Sequence, residues 1–217
     1  MAYNTIEPDK TGLVFFDALN AYFRGANEEA QKRMEPIVAN YVRIREAASA
    51  VGIPAFFPKA DHRPDGSDSA RQYTDVSMSD LQPWPDPENR PFRPYLTVPA
   101  GDWKSEVIDE LKPAPSDYMV PKHRWSSFYQ THLELSLRTK GIDTLILCGG
   151  ATEVGIASTA YAARDLDFNL IIVSDATSSP REETQRLFMT RVFPMMARVR
   201  TTEEVVQMIE AGVAQKV

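Results

Sequence analysis

Residues 142–176 read IDTLILCGGATEVGIASTAYAARDLDFNLIIVSDA. An apolar run, Leu145–Cys148, is closed by Gly149 and Gly150, and a second, Leu170–Val173, is closed by Ser174 and Asp175. Short apolar runs with polar or glycine borders suit strands buried on both faces. The small-residue stretch between them has the length and composition of a helix, so the unit is predicted as strand–helix–strand. Within it, CGGATEVGIASTA at 148–160 reads as the end of the strand running into the helix, and a reactive thiol would suit the start of that helix. The sequence has Gly155 there, and its only cysteine, Cys148, lies back in the strand.

The alternation extends in both directions. TGLVFFDALNAYF (11–23) opens with a buried strand that ends at Asp17. NEEAQKRMEPIVANYVRIREAASAVG (27–52) has helical spacing, with Ile37, Val38, Tyr41, Ile44 and Ala48 on one face and Gly52 as its stop. IPAFFPK and SDYMVPK are strands; SFYQTHLELSLRTKG (127–141) is a helix. REETQRLFMTRVFPMMA (181–197) and TTEEVVQMIEAGVAQ (201–215) are helices, with RVRT between them as a last short strand. The expected fold is an α/β, three-layer α/β/α, Rossmann-like domain over 1–217, with a six-stranded, mainly parallel sheet. Parallel strands put their C-terminal ends on one edge, where such folds bind ligands.

Composition narrows the partners. With 217 residues, a net charge of −6 and a pI near 5.2, the chain lacks the basic surface that draws nucleic acid or anionic membrane. A small molecule is the expected partner. One cysteine forms no internal disulfide, and no Cys/His set has zinc spacing. The N-terminal MAYNTIEPDKTG has no secretory pattern, and no apolar run approaches the roughly 20 residues of a membrane span, so the cytoplasm is the expected compartment.

Residues 61–102 break the alternation. Six prolines fall between Pro83 and Pro99, which excludes a long helix. Tyr73, Trp84, Phe92 and Tyr95 give the stretch more aromatic weight than disordered segments carry. It reads as an ordered loop over an active site or a subunit interface, with Arg71, Arg90 and Arg93 available to a carboxylate.

Asp17, Lys122 and Gly155 all fall at the ligand edge of the predicted sheet. Singly, an Asp at a strand end caps the next turn and a Lys after a strand is a solvated charge. Together, a carboxylate and an ammonium trade protons with a substrate, and the helix start beside them offers backbone N–H groups to an oxyanion or a carboxylate.

The arrangement resembles the isochorismatase-like hydrolase superfamily. The matching pieces are LVFFD with Asp17, HRPDGSD at 62–68, VPKHRWSSF with Lys122, GGATEVGIASTAYAARDLDFNLIIVSDA at 149–176, and FPMMARVRTTEEV. The resemblance implies an Asp–Lys–Cys triad, onto which Asp17 and Lys122 map, with Gly155 where the thiol belongs. It also implies a cis peptide just before the Thr, at Ala151–Thr152, and a homodimer or homotetramer.

Isochorismatases of this family carry Gly at that position and cleave a vinyl ether without a covalent intermediate. The resemblance thus implies Asp17 as the general acid, with Lys122 as its partner. It implies a cofactor-free hydrolase acting on an ether or C–N bond. Tyr22, Phe23, Arg71 and Trp84 are candidate substrate contacts, as are Trp125, Ala151, Thr152 and Glu153. Two departures stand out. Leu19 replaces the usual Gln two residues after the Asp, and Asp61-His62 lacks the second His of the related metal set, so no metal is expected. The alternatives are an inactive binding protein and an amidohydrolase whose Cys became Gly.

Overall fold

A computed structural model of the protein describes residues 3–24, 27–77, 82–89 and 98–214. Its sheet has six strands: β1 Thr11–Phe16, β2 Ala55–Ala60, β3 Tyr118–Lys122, β4 Thr144–Gly150, β5 Asn169–Ser178 and β6 Arg198–Arg200. All pair in parallel, in the order β3-β2-β1-β4-β5-β6. The chain begins at the middle, moves out to β3, then returns to β4 on the other side of β1. That reversal places the switch point at the C-terminal ends of β1 and β4, where open α/β sheets bind ligands.

Strand alternation builds two cores. Leu13, Phe15, Ile146, Cys148, Ile171 and Val173 face one layer, made by α2 (Glu28–Ala50) and α6 (Thr202–Ala214). Val14, Phe16, Leu145, Leu147, Leu170 and Ile172 face the other, made by α3 (Leu133–Thr139) and α4 (Ala157–Asp165). A single turn, α1 (Asn20–Phe23), follows β1, and α5 (Glu182–Leu187) follows β5.

The helix ends follow capping chemistry. Asn27 Oδ1 accepts from Ala30 N at 2.9 Å to start α2, and Val38, Tyr41, Ile44 and Ala48 are its buried stripe, as their spacing predicts. At α6, Glu204 Oε2 accepts from Thr201 N at 2.8 Å, while Asp175 Oδ1 takes both the N–H and the hydroxyl of Thr202.

Two predicted helices are shorter than their patterns. Of 127–141, only Leu133–Thr139 is helical. Ser127 N is drawn to Thr159 Oγ1 at 3.0 Å, Phe128 N to Ser126 Oγ at 3.2 Å, and Gln130 takes φ +54°, so side chains claim the backbone groups a helix needs. Over 181–197, α5 gives way to a π turn at Phe188–Val192 and a 3-10 turn at Phe193–Met195, where Pro194 cannot continue an α-helix. In the 61–102 loop, bridges join His62 to Pro99 and Val76 to Pro83. Arg90, Phe92, Arg93 and Tyr95 lie outside the described residues. No helix among the described residues is long and apolar enough to cross a membrane.

The N-terminal segment is pinned beneath α6. Ile6 N donates to Met208 O at 3.1 Å, and a Cβ at Gly212 would sit 1.7 Å from Ile6 O. Gly212→Ala is therefore expected to destabilise the protein by about 1–3 kcal/mol through overpacking. A thermal melt would register this as a fall of several degrees; an unchanged midpoint would contradict the packing.

Candidate active site

Asp17 sits at the C-terminal end of β1 with φ +48°, a conformation rare outside Gly, Asn and Asp. Its backbone is fixed on both sides: Asp17 N donates to Pro58 O at 2.9 Å and Asp17 O accepts from Leu19 N at 2.8 Å. Its carboxylate is fixed as well. Oδ1 accepts from Ala60 N at 2.9 Å, at the end of β2, and Oδ2 accepts from Lys122 Nζ at 2.8 Å, from the end of β3. Both residues are buried, Asp17 at 7% exposure and Lys122 at 5%. The Lys122 ammonium also lies 4.3 Å from the centre of the Phe16 ring, within cation–π range. Three adjacent strand ends thus converge on one ion pair.

The fourth strand end supplies the turn. The peptide bond Gly150–Ala151 is cis, one residue earlier than the Ala151–Thr152 position expected from sequence. A π turn, Thr152–Ile156, then leads into α4, so the helix does not begin at Thr152 as a regular α-helix. The N–H groups of Val154 and Ile156 both donate to Ala151 O at 3.2 Å. These two donors of the helix start, where sequence places free N–H groups for an oxyanion, are already engaged.

Gly155 is buried in this turn. A Cβ placed on it would fall 2.0 Å from Phe16 Cε1 and 2.2 Å from Phe16 Cζ. The space a side chain would need is filled by the ring that precedes Asp17. Phe16 is a site residue absent from the sequence-based candidates; the signal for it is a large aromatic beside the acid, in a sheet where its neighbour strand leads to a glycine.

Thr152 is fully buried and its hydroxyl donates to Gln185 Oε1 at 2.6 Å; Gln185 Nε2 in turn donates to Ser174 O and Thr177 O at 3.2 Å. This network ties the turn to β5 and α5. Glu153 Oε1 accepts from Ser179 Oγ at 3.0 Å, while its Oε2 is buried without a hydrogen-bond partner among the described residues. Phe23 is buried in the core, its ring edge-on to Tyr41 with centres 5.8 Å apart. Tyr22 is half exposed, and the chain around it, then the Asp17 carboxylate, push its phenol up.

Trp125 and Arg71 lie elsewhere on the same edge. Trp125 lines a hollow of about 330 Å³ with Ala70, Gln72, Arg124, Ser126 and Tyr129. Arg71 lines an adjoining hollow of about 450 Å³ that shares Ala70, Gln72 and Arg124. Neither hollow reaches Asp17, Lys122 or Gly155. Trp84 donates its Nε1 to Thr74 Oγ1 at 3.2 Å, within its own loop.

The HRPDGSD stretch folds around Asp68. Its side chain accepts from Arg63 N and meets His62 Nδ1 at 3.3 Å and His123 Nε2 at 3.6 Å. Burial lowers the His62 pKa against the pull of Asp68. Among the described residues, no group of three or more His, Cys, Asp or Glu is placed to hold a metal ion. Cys148 is fully buried on the α2/α6 side of the sheet, away from Phe16, and burial, with a smaller push from Asp175, raises its thiol well above its ordinary value.

Comparison with known proteins fixes the family. The isochorismatase domain profile matches residues 11–204. The chain belongs to the isochorismatase family. It is 40% identical over 112 residues to the uncharacterized isochorismatase family protein YecD of Escherichia coli O157:H7, a match over 52% of this chain and 58% of that one. The match thus spans little more than half of that relative. Ureidoacrylate amidohydrolase RutB of Pseudomonas savastanoi pv. phaseolicola is 30% identical over 182 residues, 79% of this chain and 72% of the relative.

Solved structures agree with the isochorismatase-family fold. A cysteine hydrolase from Pseudomonas syringae pv. phaseolicola superposes with a TM-score of 0.77 at 27% identity, covering 95% of each chain. N-carbamoylsarcosine amidase from Thermoplasma acidophilum superposes with a TM-score of 0.67 at 30% identity, covering 89% of this chain and 97% of that one.

The ion pair makes a stability prediction. Lys122→Met strands a buried carboxylate and is expected to cost about 3–5 kcal/mol. The double variant Asp17→Asn/Lys122→Met is expected to be more stable than Lys122→Met alone in urea denaturation. Equal stability of the two would show that the pair is not coupled.

Proposed function

We propose that this isochorismatase-family chain is a small-molecule hydrolase working by acid–base chemistry at Asp17 and Lys122, without a covalent thiol intermediate. One observation carries the reading: the position beside the Asp–Lys pair holds Gly155, with the Phe16 ring in its side-chain space, while the sole thiol is sealed in the opposite core. A cysteine-hydrolase route needs a thiolate facing the substrate. An enol-ether route does not.

In that route Asp17, in its protonated form, gives its proton to the terminal vinyl carbon of the substrate. The ether carbon becomes an oxocarbenium. Water adds to it, losing a proton to the Asp17 carboxylate. The hemiketal then collapses to a carbonyl compound and an alcohol, so one water is consumed and Asp17 returns to its starting form. Lys122 holds the carboxyl in position through its 2.8 Å contact and counters negative charge on the substrate. Ala60 N fixes the second carboxyl oxygen, so the acid keeps a single orientation.

The test is turnover of a panel of enol ethers, isochorismate included, and small amides. Wild type is expected to hydrolyse an enol ether. Asp17→Asn is expected to lower kcat/KM by about 10²–10⁴. Cys148→Ala is expected to leave turnover unchanged, and the native thiol to resist iodoacetamide until the protein unfolds. Undiminished turnover in Asp17→Asn, or loss of it in Cys148→Ala, would overturn the reading. Tight binding of panel members with no turnover would make the chain a binding protein.

A further inference from the structure

Phe16 occupies an unusual place for a core aromatic. It is the last residue of β1, adjacent to Asp17, and only 2% exposed. On one side its ring presses where a Cβ at residue 155 would be, with Cε1, Cζ and Cδ1 at 2.0, 2.2 and 2.8 Å from that point. On another, the ring centre lies 4.3 Å from the Lys122 ammonium. Its own backbone is approached as closely: a Cβ at Gly149 would lie 2.2 Å from Phe16 O. Gly155 therefore makes room for the Phe16 ring, Gly149 in β4 makes room for the Phe16 carbonyl, and the ring lies against the Lys122 ammonium.

We infer that Phe16 is a specificity-determining residue of this site, coupled to Gly155. The inference rests on the reading of Asp17 as the acid and Lys122 as its positioning partner. The ring fills the room a nucleophilic side chain would need at residue 155 and puts an aromatic face under Lys122 in its place. Position 16 thereby selects the class of chemistry. With Phe there, the site admits substrates cleaved by proton transfer and water. With a small residue there and a thiol opposite, the same Asp–Lys pair faces a nucleophile and acyl transfer becomes accessible. Restoring a thiol by Gly155→Cys alone does not achieve this, because the ring must move first and its surroundings are packed.

The test uses the full chain carrying Cys148→Ala, into which Gly155→Cys, Phe16→Ala and the pair together are introduced. Iodoacetamide and p-nitrophenyl acetate are the probes, read by intact mass and nitrophenolate release. In the acetylation, the thiolate sulfur bonds to the acetyl carbon as p-nitrophenolate leaves. The Phe16→Ala/Gly155→Cys protein is expected to be alkylated and acetylated at least about tenfold faster than the Gly155→Cys protein. Its rate is expected to fall when Lys122→Met is added, a change that simple relief of crowding would not produce. Its thermal midpoint is expected to lie above the sum of the two single effects.

Equal probe rates with and without Phe16→Ala, or additive midpoints, would overturn the coupling. Should the Gly155→Cys protein fail to fold, Gly155→Ala with and without Phe16→Ala gives the same thermal comparison. None of these readouts uses the natural substrate. A failure here leaves the Asp17→Asn turnover result standing, and the reverse also holds.

Discussion

The site depends on one buried contact, the 2.8 Å link between Lys122 Nζ and Asp17 Oδ2. Deleting either side chain leaves the other buried without its hydrogen-bond partner, which costs several kcal/mol. The contact therefore constrains the sheet. β1 and β3 are not neighbours; β2 lies between them, and its last residue, Ala60, must end where its N–H can meet Asp17 Oδ1. The pairing of Ala60 with Lys122 in the β2–β3 register delivers the lysine across that strand end. The left-handed backbone at Asp17 then turns the chain away from the sheet while leaving the carboxylate at its edge.

Much of this is legible in the sequence because the sheet is buried on both faces. Runs such as Leu13–Phe16 and Leu170–Val173 are too short for buried helices and too apolar for surface strands, and the alternation of strands and helices leaves one fold class. The α2 stripe is legible through its helical spacing. Asp17 and Lys122 are legible as strand-end residues, and the family resemblance brings them together. Hydrogen bonds made at long range are not legible. The 127–132 segment has a helical pattern, yet Thr159, distant in sequence, takes Ser127 N and the helix starts late. Thr152 is expected at the substrate, but its hydroxyl is used by Gln185, a partner that no local pattern announces. Phe23 is a candidate substrate contact by resemblance, and no local pattern announces that the turn of α1 packs its ring against Tyr41 in the core.

The Phe16–Gly155 contact gives the glycine a physical meaning. Read alone, Gly155 is an absence, the place where a thiol is missing. In the fold it is one half of a packed contact whose other half adjoins the acid. Proteins named as a cysteine hydrolase, an amidase and an amidohydrolase superpose on or align with this chain. The difference in chemistry proposed here needs no new fold and no new cofactor. It needs one ring, and room for it.

The chemistry proposed for Asp17 is proton-driven hydrolysis without a covalent intermediate. Its most direct test is a single turnover of the substrate found in the panel, run in D₂O. The product is followed by NMR and the protein by intact mass. The expected product carries one deuterium bound to carbon, at the former vinyl terminus, and the protein mass never changes. A product with no carbon-bound deuterium, or a transient covalent adduct on the protein, would contradict it.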